Sequence, residues 1–178
     1  MKPLSCLFAA CALTVAPMLP AWAAPDLVVL VRHAEKAAEP GADPGLSPDG
    51  EARAQALARA LQGLKVNAIL TTQARRTQET AAPLAQTTGV QPQVVQARRG
   101  ALAEHVRAVA DAVRAQHGVV VVVGHGNTVP AVLAALGGPA LPDLCETSFH
   151  HVFMLRPPAG WAQLSYGALS PAAAGGCL

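Results

Sequence analysis

Apolar positions along this chain follow two patterns that alternate. Continuous apolar runs rich in β-branched residues, typical of parallel strands covered on both faces, occur at residues 27–31, 68–71 and 119–123. Between these runs, apolar residues recur at helical spacing. The segment SPDGE, which begins at Ser47, offers a capping serine, a proline for the first turn and early acidic residues. It predicts a helix that ends before Gly63.

Further helices are predicted at residues 75–87, 101–116 and 127–136, and a late pair of strands at 150–155 and 162–166. A chain in which strands and helices alternate favours an α/β fold with right-handed crossovers. We therefore predict a three-layer α/β sandwich with a mostly parallel central sheet.

The first 23 residues have the pattern of a secretory signal peptide. A positive charge at Lys2 precedes an apolar stretch, and Ala23 completes a small-x-small ending. Three prolines interrupt this stretch, so it falls short of the roughly 20 apolar residues that a membrane span needs. We expect cleavage after Ala23, which leaves a single domain at residues 24–178, periplasmic or secreted. The alternative is lipid attachment at Cys11.

Charge and cysteine content narrow the function classes. Of the 13 basic residues Lys2 leaves with the signal, so 12 remain against 11 acidic residues. Such a nearly neutral domain has no basic field to attract nucleic acid or an anionic membrane.

Of the four cysteines, Cys145 and Cys177 remain after processing, and an oxidising compartment favours a disulfide between them. Two free thiols are the alternative.

Side chains that can bind phosphate follow each of the three main predicted strands. Arg32 and His33 end the first strand, Arg75 and Arg76 follow the second, and His125 ends the third. Ligands in such folds bind at the carboxyl ends of parallel strands, so these groups should meet in one pocket. Arginine makes paired, charge-assisted hydrogen bonds to phosphate oxygens, and histidine can act as a covalent nucleophile. The pattern predicts a phosphate site.

Three segments at these positions resemble the histidine phosphatase superfamily, the phosphoglycerate-mutase-like group. The segment RHAE from Arg32 is similar to the family's RHG motif, with alanine in place of the usual glycine. The segment TTQARRTQETA resembles the second motif and places its arginine at Arg76, and the strand ending in GH places the second histidine at His125. The resemblance spans about residues 27–155 and implies a phosphoglycerate-mutase-like fold.

By this resemblance, His33 is the nucleophile that accepts the phosphoryl group, and Arg32, Arg76 and His125 hold its oxygens. No metal and no cofactor is implied. The nucleophile must be unprotonated, whereas His125 should serve best when protonated. Glu104, near the start of the third predicted helix, is the candidate general acid, and an ordinary exposed glutamate is the alternative.

The neighbouring polar residues have simpler interpretations. We expect Glu35 to pair with an arginine, Lys36 to be a solvated loop charge, and Arg75 to face solvent or support the pocket. His150 and His151 are adjacent on a predicted strand, so they should point to opposite faces and form no chelating pair. No cysteine or histidine cluster has the spacing of a zinc site.

These observations favour an exported, metal-independent phosphatase that acts on phosphomonoesters or phosphohistidine through a phosphohistidine intermediate on His33. The alternative is a catalytically silent phosphate-binding or interaction module of the same fold. The expected partner is a small phosphorylated substrate, with no nucleic acid and no stable membrane insertion. The chain resembles the short phosphohistidine-protein phosphatases and the exported lipopolysaccharide core heptose phosphatases equally, so the substrate stays open, as does the oligomeric state.

Overall fold

A computed structural model describes residues 24–170 and 175–178, and the predicted signal segment lies outside the described residues. The strands are β1 (Pro25–Arg32), β2 (Val66–Thr71), β3 (Gln93–Val94), β4 (Gly118–Gly124), β5 (His151–Arg156) and β6 (Gly160–Ser165). The helices are α1 (Pro48–Ala60), α2 (Arg75–Thr88), α3 (Leu102–Arg114) and α4 (Thr128–Ala135). Every strand and helix predicted from the apolar pattern is present, and the two-residue β3 is an addition.

The six strands form one sheet in the order β3-β2-β4-β1-β5-β6. The first four of these pair in parallel. β5 pairs in antiparallel fashion with β1 on one side and with β6 on the other. The predicted α/β fold with a mostly parallel sheet is therefore confirmed. β1 lies between β4 and β5, and β4 lies between β1 and β2, so the ends of β1, β2 and β4 are neighbours.

Both faces of the sheet are covered by helices. Val29 and Val31 of β1 belong to a core cluster that includes residues of α1 and α2. Val28 and Leu30, which point the other way, belong to a second cluster that includes residues of α3 and α4. All four side chains have 0% exposure. Burial on both faces explains why the strand is continuously apolar rather than alternating.

The loop before α1 carries the predicted capping signal. Ser47 Oγ accepts a hydrogen bond from the Gly50 amide at 3.1 Å. A Cβ atom at Gly50 would lie 2.2 Å from the Glu35 carbonyl oxygen, so only glycine allows the helix to approach this loop so closely. The start of α1 thus packs directly against the segment that follows β1.

The C-terminal residues are attached to the loop after α4. Cys145 and Cys177 form the expected disulfide, with their Cα atoms 5.1 Å apart. The Cys145 amide also donates to the Leu178 carbonyl at 2.8 Å, and the Leu178 amide donates to the Asp143 carbonyl at 3.0 Å. The end of the chain therefore fixes the backbone of this loop.

Among the described residues, no helix combines the length and the apolar character needed to cross a bilayer.

Candidate active site

The ends of β1, β2 and β4 bring the predicted phosphate-binding residues together. Arg32 is paired with Gly124 in the β1–β4 register, and the His33 amide donates to the Gly124 carbonyl at 2.9 Å. This pairing places the two histidines that follow the strands side by side. The ring centroids of His33 and His125 are 5.4 Å apart, with the rings edge to face.

His33 is buried and is held in one tautomer. The residue is 5% exposed, and its Nδ1 lies 2.8 Å from the Ala34 carbonyl oxygen. A carbonyl only accepts, so Nδ1 carries the proton and Nε2 keeps its lone pair. Burial, assisted by the charges of Arg32 and Arg76, lowers the pKa of His33 to about 3. The imidazole is therefore neutral near pH 7, with the nitrogen distal to the backbone available as a nucleophile.

His125 is also neutral near pH 7. Arg76 Nη2 lies 3.4 Å from His125 Nδ1, and Thr72 Oγ1 lies 3.1 Å from Nε2. Guanidinium only donates, so Nδ1 accepts and Nε2 carries the proton toward Thr72. Burial, then the charge of Arg76, lowers the pKa of His125 to about 4. Desolvation and adjacent positive charges disfavour a second cation here, and the expectation that His125 serves best when protonated concerns the bound phosphate and stays a prediction.

Arg76 lies in the first turn of α2 with its guanidinium at the site. Besides the contact with His125, its Nη1 lies 3.5 Å from Asp43 Oδ1. The adjacent Arg75 is exposed and pairs with Glu79 at 3.1 Å and with Glu39 at 3.7 Å. Arg76 is therefore the arginine of this pair that belongs to the site, and Arg75 faces solvent.

Arg32 is held by one loop. Its Nη1 donates to the carbonyls of Cys145 and Ser148, and its Nη2 lies 3.1 Å from Glu146 Oε2. The guanidinium carbon lies 4.4 Å from the Phe149 ring centroid, and Nε is buried without a partner among the described residues. The residue is 3% exposed, and this burial lowers its pKa, which Glu146 opposes. A phosphate would compete with Glu146 for the Nη2 donor.

These positions agree with a known family. Residues 28–99 match the model of the histidine phosphatase superfamily (branch 1). Over these residues, which are less than half of the chain, the sequence is similar to the histidine phosphatase superfamily. The matched segment contains Arg32, His33 and Arg76, and His125 follows it on the next strand of the sheet. A search of curated proteins found no significant match.

Several solved structures share the fold of this chain. SixA of Agrobacterium tumefaciens, reported as a candidate phosphohistidine phosphatase, is 23% identical, with a TM-score of 0.56 over 81% of this chain and 98% of its own. A mycobacterial glucosyl-3-phosphoglycerate phosphatase in complex with inorganic phosphate is 20% identical, with a TM-score of 0.56 over 81% and 98%. A protein described as mycobacterial hydrolase 2 is 18% identical, with a TM-score of 0.57 over 83% and 93%.

Glu35 pairs with an arginine, as expected, and the structure identifies that arginine as Arg53. Both Glu35 oxygens accept from Arg53 of α1, at 2.7 to 2.9 Å. Arg53 also donates to the carbonyls of Tyr166 and Ala168 at 3.2 and 2.9 Å. The sequence signal was present, since Arg53 lies on the same helical face as the buried Gly50, Ala54 and Leu57. This pair joins the RHAE segment, α1 and the C-terminal segment.

The structure does not join Glu104 to the other candidate residues. Its side chain is 69% exposed and lies 4.0 Å from Arg98 Nη1. The buried neighbour on α3 is His105, whose Nδ1 lies 3.1 Å from the Gln96 carbonyl oxygen. The role of Glu104 as the general acid stays a prediction.

The prediction that His150 and His151 point to opposite faces is wrong. Their ring centroids are 4.1 Å apart, because β5 begins only at His151 and the alternation of side chains begins with it. Ser170 donates to His150, and Gln163 lies 3.0 Å from His151 Nδ1. Among the described residues, no group of three or more histidine, cysteine or acidic side chains is placed to hold a metal ion.

A groove of about 650 Å³ lies along α1 beside the site, and we call it the α1 groove. Its lining includes Glu35, Arg53, Glu146, Phe149 and Leu169. Phe149 reaches the site itself, since its ring centroid is 6.3 Å from that of His33. The groove is large enough for a leaving group beyond the phosphate.

Proposed function

We propose that this protein is an exported phosphatase that transfers the phosphoryl group of a small substrate to His33 Nε2 and then to water, without a metal. The observation that carries the proposal is the neutral, buried His33 with a free Nε2, close to a second histidine and within reach of the charges of Arg32 and Arg76. Fixed positive donors stabilise the charge that the equatorial oxygens carry during phosphoryl transfer. A module that only bound phosphate would need the arginines but not a histidine held in its nucleophilic tautomer.

Arg32, Arg76 and His125 are proposed to hold the phosphate oxygens. Phosphate binding to Arg76 releases its hydrogen bond to His125 Nδ1, and the anion then favours protonation of that nitrogen. His125 would thus become the cationic donor only when substrate is bound. The neutral state of the free site supports this order of events.

The substrate class is proposed as phosphomonoesters or phosphohistidine. Two of the structural relatives carry names that refer to phosphohistidine and to a phosphorylated sugar acid. A panel of phosphosugars, inositol phosphates, nucleotides and phosphohistidine-containing peptides would separate these classes.

Trapping the phosphoryl enzyme tests the proposal. Acid-labile, base-stable label from ³²P-labelled substrate is expected on His33, in the presence of a chelator. His33→Ala should abolish the label and turnover, whereas His125→Ala should still become labelled but react about 100- to 1,000-fold more slowly. His117→Ala is the matched control, since that histidine is exposed at the end of the α3–β4 connection. Phosphate binding without turnover would favour the silent module, and label on another residue would refute the mechanism.

A further inference from the structure

A carboxylate lies where the phosphate site meets the α1 groove. Glu146 Oε2 is 3.1 Å from Arg32 Nη2, and the same residue lines the groove. Phe149 spans the same junction, 4.4 Å from the guanidinium carbon of Arg32 and 6.3 Å from the His33 ring. A substrate whose phosphorus faces His33 and whose leaving group enters the groove would pass its bridging oxygen beside Glu146.

The other acidic residues near the site are placed less well for proton transfer. Glu104 contacts Arg98 and has no hydrogen bond to the four candidate residues among those described. Asp43 contacts Arg76, but its two oxygens accept from the Arg75 amide at 3.1 and 3.2 Å, and it does not line the α1 groove. Glu146 uses only Oε2 in its contact with Arg32, and its Oε1 accepts no hydrogen bond from the described residues.

We propose that Glu146 is a catalytic residue that protonates the leaving-group oxygen while the leaving group occupies the α1 groove. This inference rests on the proposed phosphatase function. It places the general acid on the loop after α4, 114 positions after Arg32 of the RHAE segment.

The reaction balances in two steps. In the first, His33 Nε2 forms a bond to phosphorus, the P–O bond to the leaving group breaks, and its electron pair takes the proton of the Glu146 carboxyl. In the second, the Glu146 carboxylate takes a proton from water as that water attacks phosphorus, and the P–N bond breaks to return the electron pair to His33. The products are an alcohol and inorganic phosphate, and Glu146 is protonated again.

Substrate binding would change the charges around Glu146. In the free protein the charge of Arg32 is the nearest partner of Glu146. The other charged residues that line the groove are Glu35, which is paired with Arg53, and Asp49 and Arg59. When a phosphate dianion takes the Arg32 donor, the carboxylate loses its cationic partner and gains an anionic neighbour. Glu146 is then released from Arg32 and can contact the leaving-group oxygen.

The loop that carries Glu146 is held firmly enough to place an acid. Cys145 is fixed by the disulfide and by the hydrogen bond from its amide to Leu178, and the Ser148 amide donates to the Cys145 carbonyl at 2.9 Å. The Glu146 side chain is 84% exposed, so replacing it should leave folding unchanged.

The test compares phenyl phosphate, a poor leaving group, with p-nitrophenyl phosphate, a good one, in the wild type and in Glu146→Gln. We measure kcat/KM, which reports the first chemical step. The variant should lose about 100-fold or more with phenyl phosphate and less than about threefold with p-nitrophenyl phosphate, since only the poor leaving group needs the proton. With p-nitrophenyl phosphate it should also release a burst of p-nitrophenol, because water attack becomes slow. Glu51→Gln, at an exposed position of α1, is the matched control and should resemble the wild type, and Glu104→Gln tests the rival candidate acid.

Different results would contradict the phosphatase activity and the role of Glu146. If the wild type hydrolyses neither ester and is not labelled at His33, the phosphatase proposal fails. If the wild type is active but Glu146→Gln loses the same factor with both esters, Glu146 only positions Arg32 and the inference is wrong. The role of Glu146 is also wrong if the wild type hydrolyses p-nitrophenyl phosphate but not phenyl phosphate. It is equally wrong if Glu104→Gln, rather than Glu146→Gln, loses kcat/KM selectively with phenyl phosphate.

Discussion

Arg75 and Arg76 are adjacent in the chain but lie in different environments. Arg75 is 55% exposed and pairs with acidic side chains on the surface, whereas Arg76 is 22% exposed and contacts His125. The first turn of α2 turns successive side chains by about 100°. One arginine therefore faces solvent while the next faces the site.

Arg76→Lys should lower kcat/KM by about 100-fold, although it conserves charge. An ammonium group cannot make the paired hydrogen bonds of a guanidinium, and one preorganised donor is worth about that factor. Arg75→Lys, the neighbouring control, should stay within about twofold of the wild type. Steady-state hydrolysis of p-nitrophenyl phosphate measures both. Equal losses in the two variants would contradict the assignment of Arg76 to the site.

The two site histidines should make the protein less stable in acid. Burial lowers the pKa of His33 from 6.5 to about 3 and that of His125 from 6.5 to about 4. Between these values and 6.5 the unfolded chain binds protons that the folded protein does not, so the free energy of unfolding falls as the pH falls. The stabilisation from the neutral forms is complete above about pH 6.5 and is lost progressively toward pH 3.

Urea unfolding in phosphate-free buffer measures this dependence. The free energy of unfolding should fall from about pH 7 to about pH 5, and His33→Asn should show a shallower fall because one of the histidines with a lowered pKa is gone. His117→Asn, at an exposed position, should keep the wild-type slope. A wild-type stability that is independent of pH in this window would contradict the burial of both imidazoles as neutral groups.

At the scale of elements, the loop from Asp143 to Ser148 is the support of Arg32. It supplies two carbonyls and a carboxylate to the guanidinium, and it has neither helix nor strand structure of its own. What fixes it is the disulfide and the backbone hydrogen bonds to the C-terminal residues. The C-terminal residues thereby stabilise the loop that holds the Arg32 guanidinium.

Cys177→Ser should both destabilise the protein and weaken phosphate binding. The bridge spans 32 positions, for which the chain-entropy model gives about 3 to 4 kcal/mol. Loss of the bridge also frees the carbonyls that hold Arg32, so the KM should rise by about tenfold or more while His33 still becomes labelled. Urea unfolding and steady-state kinetics measure the two effects.

Leu61→Ala provides the control for lost stability alone. Leu61 is 2% exposed and lies in the core cluster on the α1 and α2 side. Its replacement by alanine should lower the free energy of unfolding by about 2 to 5 kcal/mol. Its KM should remain that of the wild type. A Cys177→Ser enzyme with unchanged KM would show that the bridge does not act on Arg32.

At the scale of the whole molecule, export and disulfide formation are expected to be linked. The proposed signal at residues 1–23 would deliver the chain to an oxidising compartment, where Cys145 and Cys177 can be bridged. Protein recovered from the periplasm should begin at Ala24 and contain no free thiol. Ala23→Lys should block processing, because the cleavage site requires small residues. Recovery of the unprocessed chain in the cytoplasm from the wild-type gene would contradict export.

The sequence by itself determined the elements and most of the candidate site. Buried parallel strands, the Ser47 cap and the helical spacing after it are local patterns, so residues close in the chain suffice to predict them. Arg32, His33, Arg76 and His125 were found because each follows a strand, and the ends of neighbouring parallel strands meet at one edge. The two-residue β3 was missed, since two positions carry no periodicity.

Only the tertiary structure decided which side chains surround those four residues. Arg53 and Glu35 are 18 positions apart, and Arg32 and Glu146 are 114 apart, so no local pattern links the members of either pair. The neutral state of His125 depends on burial and on the guanidinium of Arg76, neither of which a sequence motif reports. Packing of separate segments sets desolvation and ion pairing, and these set the chemistry of the site. For that reason the sequence could name the candidate nucleophile, whereas the candidate acid at Glu146 emerged only from the fold.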